Sequence, residues 1–313
     1  MARKWKLSSR AGVRGIIDRV RRRWQSHGHD GIAGLNETNL NRLIKYLSNF
    51  GHLKPEATTV DDLISAIKSF QRLIPGLKND GVAGPITMRA MELPRCEVRE
   101  QARTRRGFWG LKTINYFISK YVAGISKADQ RDIFTESYRD ITRNCDLKFH
   151  QVSDRDYANV VINVSTLLRF GFGRGGGTLA SAELAPVPNF EGYGSSALAL
   201  DFDGAEIWTA DVNAIGVLLL PVHKHETLHN LGFGHNTGSK KTILAPFYNK
   251  TISMLQPADI AMLQKTYGAD LITGDPSASK GYTLEVDGSM VASGNFTERA
   301  NLQVDLTSPR ETP

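Results

Sequence analysis

The sequence predicts an α+β protein in which a small all-α bundle precedes a larger domain of strands and helices. Apolar residues recur at helical spacing twice within residues 40–73, whereas residues 147–152 and 159–164 alternate in the manner of strands. Further along the chain, the stretch HKHETLHNLGFGH places four of the eight histidines within thirteen residues. These three features together predict the fold class and a candidate metal site.

The N-terminal part, residues 31–93, is predicted to form the helical bundle. Two sets of apolar residues recur at helical spacing, namely Leu40, Leu43, Ile44, Leu47 and Phe50, and then Leu63, Ile64, Ile67, Phe70 and Leu73. Gly51 and the Pro75-Gly76 pair interrupt the two patterns. The turn-forming stretch NDGVAGPIT leads into a third helix, which we expect over residues 86–93.

The second unit, residues 107–268, mixes strands and helices. The pattern predicts strands at residues 112–117, 147–152 and 159–164 and in the stretches TLASAEL and ALALDFD, with helices at residues 127–142 and 257–267. Residues 94–106 form a charged connector between the two units. Residues 269–313 form a polar tail with a hairpin expected about Asp287-Gly288.

The net charge of +7 is concentrated in an N-terminal arm, residues 1–30. Residues 1–23 carry nine Lys or Arg against one acid, Asp18, so the rest of the chain is close to neutral. A solvated extension, a targeting peptide and a contact with a membrane surface or nucleic acid all remain open for this arm. It lacks the apolar segment of a secretory signal, and no apolar run is long enough to cross a membrane.

Four residues separate His225 from His229, so on a helix the two imidazoles point about 40° apart and can share one metal ion. Gly232 is expected to end the helix, and His235 then returns as a third ligand. Three neutral histidines leave the fourth position of a tetrahedral zinc open for water, which is typical of a catalytic site. Glu226 is expected to accept a proton from that zinc-bound water.

The other histidine and the two cysteines are less informative. His223 should point to the opposite side of the helix and is interpreted as structural or solvated. Cys96 and Cys145 are too few to form a disulfide framework, and they do not indicate a redox compartment.

The order of these parts resembles the matrix metalloproteinases, the matrixin branch of the metzincins, over residues 34 to 268. The stretches LIKYLSNFGHL, AIKSFQRLIPGLKNDGVAGPITMRAM and PRCEVRE are similar to the family's peptidoglycan-binding-like propeptide and its cysteine switch. GGGTLASAEL and DFDGAEIWT are similar to its calcium loop and substrate-edge strand, HETLHNLGFGH to its zinc motif, and LQPADIAMLQKTYG to its final helix. The resemblance implies a metzincin-type domain with a twisted, mostly parallel sheet.

The resemblance also implies roles for individual residues. It makes His225, His229 and His235 the zinc ligands, Glu226 the general base and Cys96 the zinc ligand of the latent form. Asp203 and Glu206 match calcium-binding positions, and residues 246–248, including Pro246 and Tyr248, would form the wall of the main specificity pocket. Cys145 has no such context and is expected in the core.

Several positions depart from the family pattern. Glu97 and Arg99 replace a glycine and a proline of the switch, although Glu100 can still pair with Arg95. Leu244 replaces the turn methionine and can fill a similar volume. Ser181 and Asp201 stand where relatives have structural-zinc histidines, so we expect one zinc. Gly173 stands where a calcium-binding aspartate is expected, which weakens the case for calcium.

The leading hypothesis is a zinc-dependent metalloendopeptidase, made as a latent zymogen, that binds polypeptides in extended form along TLASAEL. The resemblance implies a secreted or extracellular monomer. Arg103 to Arg106 reads equally as a dibasic processing site and as a solvated linker. The alternative hypothesis is a non-catalytic protein that binds cell-wall glycan through the bundle and has a permanently blocked zinc site. A nucleic-acid tether through the basic arm is the weakest hypothesis.

Overall fold

The computed structural model describes residues 35–54, 57, 59–98, 100, 108–165, 177–185, 197–238, 241–269, 280–286 and 289–296. The basic arm, residues 101–106 of the connector with Arg106, and most of the glycine-rich loop with Gly173 lie outside these residues. Among the described helices, none is both long and apolar enough to cross a membrane.

The bundle consists of three helices, α1 (Glu37–Asn49), α2 (Val60–Gln71) and α3 (Pro85–Ala90). Side chains satisfy the first backbone N–H groups of two helices: Asn36 accepts from the amide of Asn39, and Thr59 forms a capping box with Asp62. Helix α3 is shorter than expected at its C-terminal end. The apolar faces of the helices pack into a core of their own that includes Leu43, Leu47 and Phe70.

The larger domain is built on one six-stranded sheet with the order β1-β5-β6-β4-β2-β3. Its strands are β1 (Arg95–Cys96), β2 (Thr113–Ile118), β3 (Lys148–Gln151), β4 (Val160–Ser165), β5 (Thr178–Ala182) and β6 (Leu198–Asp203). Only the β5–β6 pairing is antiparallel, so the sheet is mostly parallel, as the resemblance implied. The edge strand β1 belongs to the segment that follows the bundle, and it joins the sheet of the larger domain.

Three helices accompany this sheet: α4 (Lys127–Thr142), α5 (Leu219–Asn230) and α6 (Pro257–Tyr267). Helices α4 and α6 have the predicted bounds, and Ser126 caps α4 by accepting from the amide of Asp129. Helix α5 is buried along almost its whole circumference, which makes it the central helix of the domain. The α+β fold class is therefore confirmed.

The chain before α5 is not helical, although its composition favoured a helix from residue 211 onward. Two short parallel strands, β7 (Trp208–Thr209) and β8 (Val217–Leu218), pair there instead. Gly216 has a φ of 132°, and a Cβ atom on it would lie 2.7 Å from the carbonyl oxygen of Ile207. This close approach of two backbones delays the helix until residue 219, and tertiary pairing overrides the local preference.

In the tail, β9 (Lys280–Val286) and β10 (Ser289–Phe296) form the expected antiparallel hairpin. The turn residues Asp287 and Gly288 themselves lie outside the described part of the chain.

Candidate metal centre

Helix α5 and the turn that follows it bring three imidazoles together. Gly232 ends the helix with a φ of 95°, and the amide of Phe233 donates to the carbonyl of Leu228 across the reversal. The Nε2 atom of His225 consequently lies 2.9 Å from Nε2 of His229 and 3.2 Å from Nε2 of His235. All three rings are buried.

The hydrogen bonds of these rings fix where their lone pairs point. His225 Nδ1 lies 2.6 Å from the carbonyl oxygen of Ile243, and His229 Nδ1 lies 2.6 Å from that of Phe233. A carbonyl only accepts, so each Nδ1 carries the proton and each Nε2 presents a lone pair. Lone pairs converging at these distances repel one another unless a cation lies between them. The donor set therefore fits a metal ion, and nitrogen donors suit zinc.

A thiol and a carboxyl group complete the centre. Four possible ligand atoms lie within 4.8 Å of one another, one each from Cys96, His225, His229 and His235. Among the described residues, this is the one group of three or more side chains that could hold a metal ion. Cys96 Sγ donates to Glu226 Oε2 at 3.5 Å and accepts from the amide of Val98 at 3.3 Å. The centre thus holds three nitrogen donors, one sulfur donor and one adjacent carboxyl group.

Burial controls protonation in the centre. It raises the pKa of Glu226 to about 8, which the hydrogen bond from Cys96 partly opposes, and it raises the pKa of the Cys96 thiol. It also lowers the pKa of His225 to about 4 and holds the pKa values of His229 and His235 well below their ordinary range, so all three rings are neutral at physiological pH. Neutral imidazole is the form that binds a metal.

A second layer of contacts holds the first ligand in place. Asp259 of α6 is buried and accepts from the hydroxyl of Thr242, from the amide of Ile243 at 3.0 Å and from the amide of Gln256 at 3.0 Å. Because the carbonyl of Ile243 orients His225, Asp259 acts on the metal centre through this turn. Leu244, which stands for the family's methionine, is fully buried in the same turn.

The segment around Cys96 lies in a cleft and pairs with both of its walls. On the side of β5, the amide of Arg95 donates to Gly177 O at 2.9 Å and the amide of Glu97 to Ala180 O at 3.1 Å. On the other side, the amide of Cys96 donates to Pro246 O at 3.2 Å, and Pro94 O accepts from the amide of Tyr248 at 2.9 Å. The cleft therefore holds an extended chain by its backbone.

The cleft continues into a cavity of about 40 Å³ beside His225 and Glu226. Pro246 and Tyr248, the predicted pocket residues, both line it, together with Pro221 and Val222 of α5 and Ile252. The hydroxyl of Tyr248 also accepts from the amide of Leu218 at 3.0 Å, which fixes the ring against the start of the helix.

Arg95 anchors the cysteine segment on the side of the bundle. Its guanidinium group is buried 3.3 Å from the ring centroid of Phe50, and it forms an ion pair with Glu100, as the sequence suggested. Nη1 donates to the hydroxyl of Tyr46 at 2.6 Å, and Nε donates to the carbonyl of Cys96 at 3.1 Å. Arg95 thereby ties the backbone of Cys96 to the core of the bundle.

Asp203 and Glu206, the predicted calcium-binding residues, both accept hydrogen bonds from nearby backbone amides. Asp203 ends β6 and accepts from the amide of Ala205 at 2.9 Å, whereas Glu206 accepts from the amide of Ile207 at 2.9 Å. Neither belongs to a group of three metal-binding side chains within the described part of the chain. Calcium binding at these two residues stays a prediction. Ser181 and Asp201 are direct partners across β5 and β6.

Sequence reasoning left the role of His223 undecided and overlooked three other residues. His223 is buried and stacks on Phe134 with ring centroids 4.5 Å apart, so it is structural rather than solvated. Asp259 was missed because its targets lie across a turn. Lys224 and Asp140 form a buried ion pair between α5 and α4 that no local pattern signals.

Comparisons with known proteins agree with this geometry. The family model described as Matrixin matches residues 108–268. The chain is 30% identical to mouse matrilysin over 233 residues, which cover 71% of this chain and 84% of that protein. It is 30% identical to rat matrilysin over 246 residues, covering 73% and 84%. It is also 27% identical to matrix metalloproteinase-C of Caenorhabditis elegans over 264 residues, covering 72% and 42%.

The match spans strands β2 to β6 of the sheet, helix α5 and the final helix, and it includes the three converging histidines. Zinc is the family's cofactor, and calcium binding is common among its members. The chain therefore belongs to the matrixin family and is a zinc metalloendopeptidase.

Proposed function

We propose that this chain is the latent form of the peptidase, in which Cys96 blocks the metal centre. The observation that carries the proposal is the position of the Cys96 sulfur, which shares one 4.8 Å cluster with the three histidine donors. Thiolate is a strong ligand for zinc, and as a fourth ligand it would exclude the water needed for hydrolysis. His225, His229 and His235 are the proposed permanent ligands.

In the active form, Glu226 is the proposed general base. A bound zinc would supply Lewis acidity, polarising the scissile carbonyl and the attacking water. Glu226 takes a proton from that water and returns it to the leaving amine. When Cys96 leaves, the Oε2 atom of Glu226, which now accepts from the thiol, becomes free.

The proposed polypeptide substrate takes the path now filled by residues 94–97. The groups available to it are the carbonyls of Gly177, Ala180 and Pro246 and the amide of Tyr248, each of which already pairs with a backbone in the cleft. Backbone pairing holds an extended chain of any sequence, whereas the cavity lined by Pro246 and Tyr248 selects one side chain.

The proposed division of the chain is a basic arm at 1–30, a propeptide bundle at 31–93, a switch and connector at 94–106, a catalytic domain at 107–268 and a tail at 269–313. The bundle and the catalytic domain have separate cores, which supports this division. Cutting after Arg106 would remove the covalent tether of Cys96. The local concentration of its thiol would fall from the roughly millimolar value typical of a short linker to that of free peptide.

We further propose that the enzyme acts outside the cell on protein substrates as a monomer, and that Asp203 and Glu206 contribute to a calcium site. The relatives with matrilysin and matrix metalloproteinase names support an extracellular setting. Binding of cell-wall glycan by the bundle belongs to the alternative hypothesis, and it has less support than peptidase activity.

The test compares three purified forms on one fluorogenic peptide: the full-length chain, its Cys96→Ser variant and the chain cut after Arg106. We expect slow cleavage by the first, fast cleavage by the other two, and loss of all cleavage on adding a zinc chelator. Full activity of the uncut parent would mean that Cys96 does not guard the zinc. If all three forms bind zinc and glycan but cleave no peptide, the non-catalytic alternative is favoured.

A further inference from the structure

Helix α5 carries a buried lysine between its metal-binding residues and the core. Lys224 is fully buried, and its Nζ lies 2.5 Å from Asp140 Oδ2 on α4. A lysine is almost never fully buried unless it is paired, and an apolar pair of similar volume often stabilises a core at least as well. Stability alone therefore gives no reason for this ion pair.

The ion pair also binds the backbone of a third element. Lys224 Nζ donates to the carbonyl of Ser253 at 2.7 Å, and Asp140 Oδ2 accepts from the amide of Leu255 at 3.2 Å. The two groups thus hold both a backbone acceptor and a backbone donor of one short segment, residues 253–255, which we term the return limb. An apolar pair could satisfy neither backbone group.

The return limb follows directly on the wall of the cavity beside the metal centre. Ile252 and Asn249 line that cavity, together with Pro221 and Val222 from the first turns of α5. The start of the same loop is fixed separately, because Asp259 binds Thr242 and Ile243. The loop from 242 to 255 is therefore fastened at both ends, and Lys224 and Asp140 provide the second fastening.

The small size of the cavity makes the position of this wall important. At about 40 Å³ the cavity has room for roughly three or four water molecules. Arg95 and Cys96 line one side of it and leave in the proposed active form, whereas Asn249 and Ile252 of the loop stay as a wall against a substrate side chain. Discrimination by size then depends on how firmly the return limb is held.

We propose that Lys224 and Asp140 are positioning residues that set side-chain selectivity by fixing the return limb of the pocket loop. The inference rests on the proposed function in one respect, since it takes the cavity as the site of a substrate side chain. It concerns the wall of that cavity and is independent of the blocking role of Cys96.

The principal test uses the double variant Lys224→Met/Asp140→Leu in the full-length Cys96→Ser background. Removing both charges avoids leaving one of them buried alone, and neither new side chain can bind the backbone groups of Ser253 and Leu255. We expect one zinc per chain and a similar kcat on a peptide with a small side chain in the pocket. The ratio of kcat/KM for large over small side chains should rise at least fivefold, mainly through KM. Ser137→Ala, a change at another buried polar residue of α4, is the matched control and should leave the ratio unchanged.

Amide hydrogen exchange gives a readout that does not depend on activity. In the double variant the amides of residues 250–255 should exchange at least tenfold faster, whereas those of α5 keep their protection. In the parent, the Leu255 amide should exchange much more slowly than the exposed-loop amide of Gly238, a comparison that holds even if the variant does not fold.

Unchanged side-chain ratios and unchanged exchange in a folded, zinc-loaded double variant would overturn the inference. Uniformly faster exchange across the domain would also overturn it, because the ion pair would then be a general stabilising contact. A parent without peptidase activity would contradict the proposed function instead, and the exchange of Leu255 would still decide the role of the pair.

Discussion

One buried ion pair lies at the boundary of the bundle and another lies inside the catalytic domain, and the two pairs differ in what surrounds them. Arg95 and Glu100 lie where the bundle meets the catalytic domain, and the imidazole of His52 is 3.3 Å from the second oxygen of Glu100. Lys224 and Asp140 lie inside the catalytic domain, beneath the pocket loop. The first pair holds a segment that is proposed to leave, and the second holds a wall that stays.

This difference suggests that burial alone does not define the function of a charge. In the bundle the ion pair shares its site with a titratable ring, so its strength depends on pH. In the catalytic domain the partners of the pair are backbone groups, which do not titrate.

The largest effect should come from Glu226→Ala. Glu226 is the proposed general base, whereas both ion pairs only support the centre. The loss of Glu226 should therefore stop peptide hydrolysis. In the Cys96→Ser background, we expect the rate of peptide cleavage to fall by a factor of about 10² to 10⁴, with zinc content unchanged. Cleavage near the parent rate, measured with the same peptide, would refute the role of the base. His229→Ala should instead lose the metal, as elemental analysis would detect.

The next effect concerns the bundle pair. Arg95→Met leaves the carboxyl group of Glu100 buried without its partner, which should cost the bundle about 3–5 kcal/mol of unfolding free energy. The full-length chain should then cleave peptide without processing, while the catalytic domain keeps its own unfolding transition. Chemical denaturation and a peptidase assay measure the two results. The matched control is Arg42→Met, which removes an exposed ion pair with Glu92 and should cost well under 1 kcal/mol.

Acid should weaken the bundle pair. Burial, with the charges of Arg95 and Arg72, lowers the pKa of His52 to about 3, even though Glu100 lies close by. A ring that is neutral when folded but protonates near pH 6.5 when unfolded stabilises the bundle above pH 6.5. This contribution is lost as pH falls from 6.5 toward 3, by at most about 1.4 kcal/mol per pH unit.

The measurement is the unfolding free energy of the bundle between pH 7 and pH 4. The neighbouring groups are Ser69, which contacts His52 Nδ1 at 3.0 Å, and Tyr46, which contacts Arg95. His52→Gln should flatten the pH dependence in this range, whereas the same change at the exposed His150 should not. An equally steep dependence in the His52 variant would assign the acid sensitivity to other groups.

A smaller effect is expected at the aromatic contact between the two regions. Phe247 packs against Phe70 at 6.3 Å and lies under the guanidinium of Arg95 at 5.1 Å. Phe247→Ala should raise the basal activity of the full-length chain by about threefold to thirtyfold, because such contacts are worth roughly 0.5–2 kcal/mol. Phe247→Leu should restore part of the latency. No change in basal activity would show that backbone pairing alone holds the segment.

The smallest effect is expected for Leu244→Met. The two side chains have similar volumes, so the change should alter stability by less than about 1.5 kcal/mol and leave zinc content unchanged. A large loss of stability or metal would show that the turn beneath the centre is packed more specifically than its buried leucine suggests.

Local patterns in the sequence anticipated the elements that depend on local interactions. The bounds of α4 and α6, the glycine reversal at Gly232 and the ligand spacing from His225 to His235 depend on residues close together in the chain. Residues 211–218 are rich in helix formers but are not helical, because the pairing of β8 with β7 depends on a contact with Ile207. The ties from Asp259 to Ile243 and from Lys224 to Ser253 join residues 16 and 29 positions apart, and periodicity carries no information about them.

The short strand β1 has a consequence for the behaviour of the protein in solution. While Arg95 and Cys96 are in place, β5 is an interior strand of the sheet. Their departure makes β5 an outer edge with unpaired carbonyls at Gly177 and Ala180, and its sequence TLASA contains no charge to discourage pairing. Uncharged open edges promote association with other extended chains, including further copies of the same protein. If activation removes β1 as proposed, the activated enzyme should self-associate at lower concentration than its precursor.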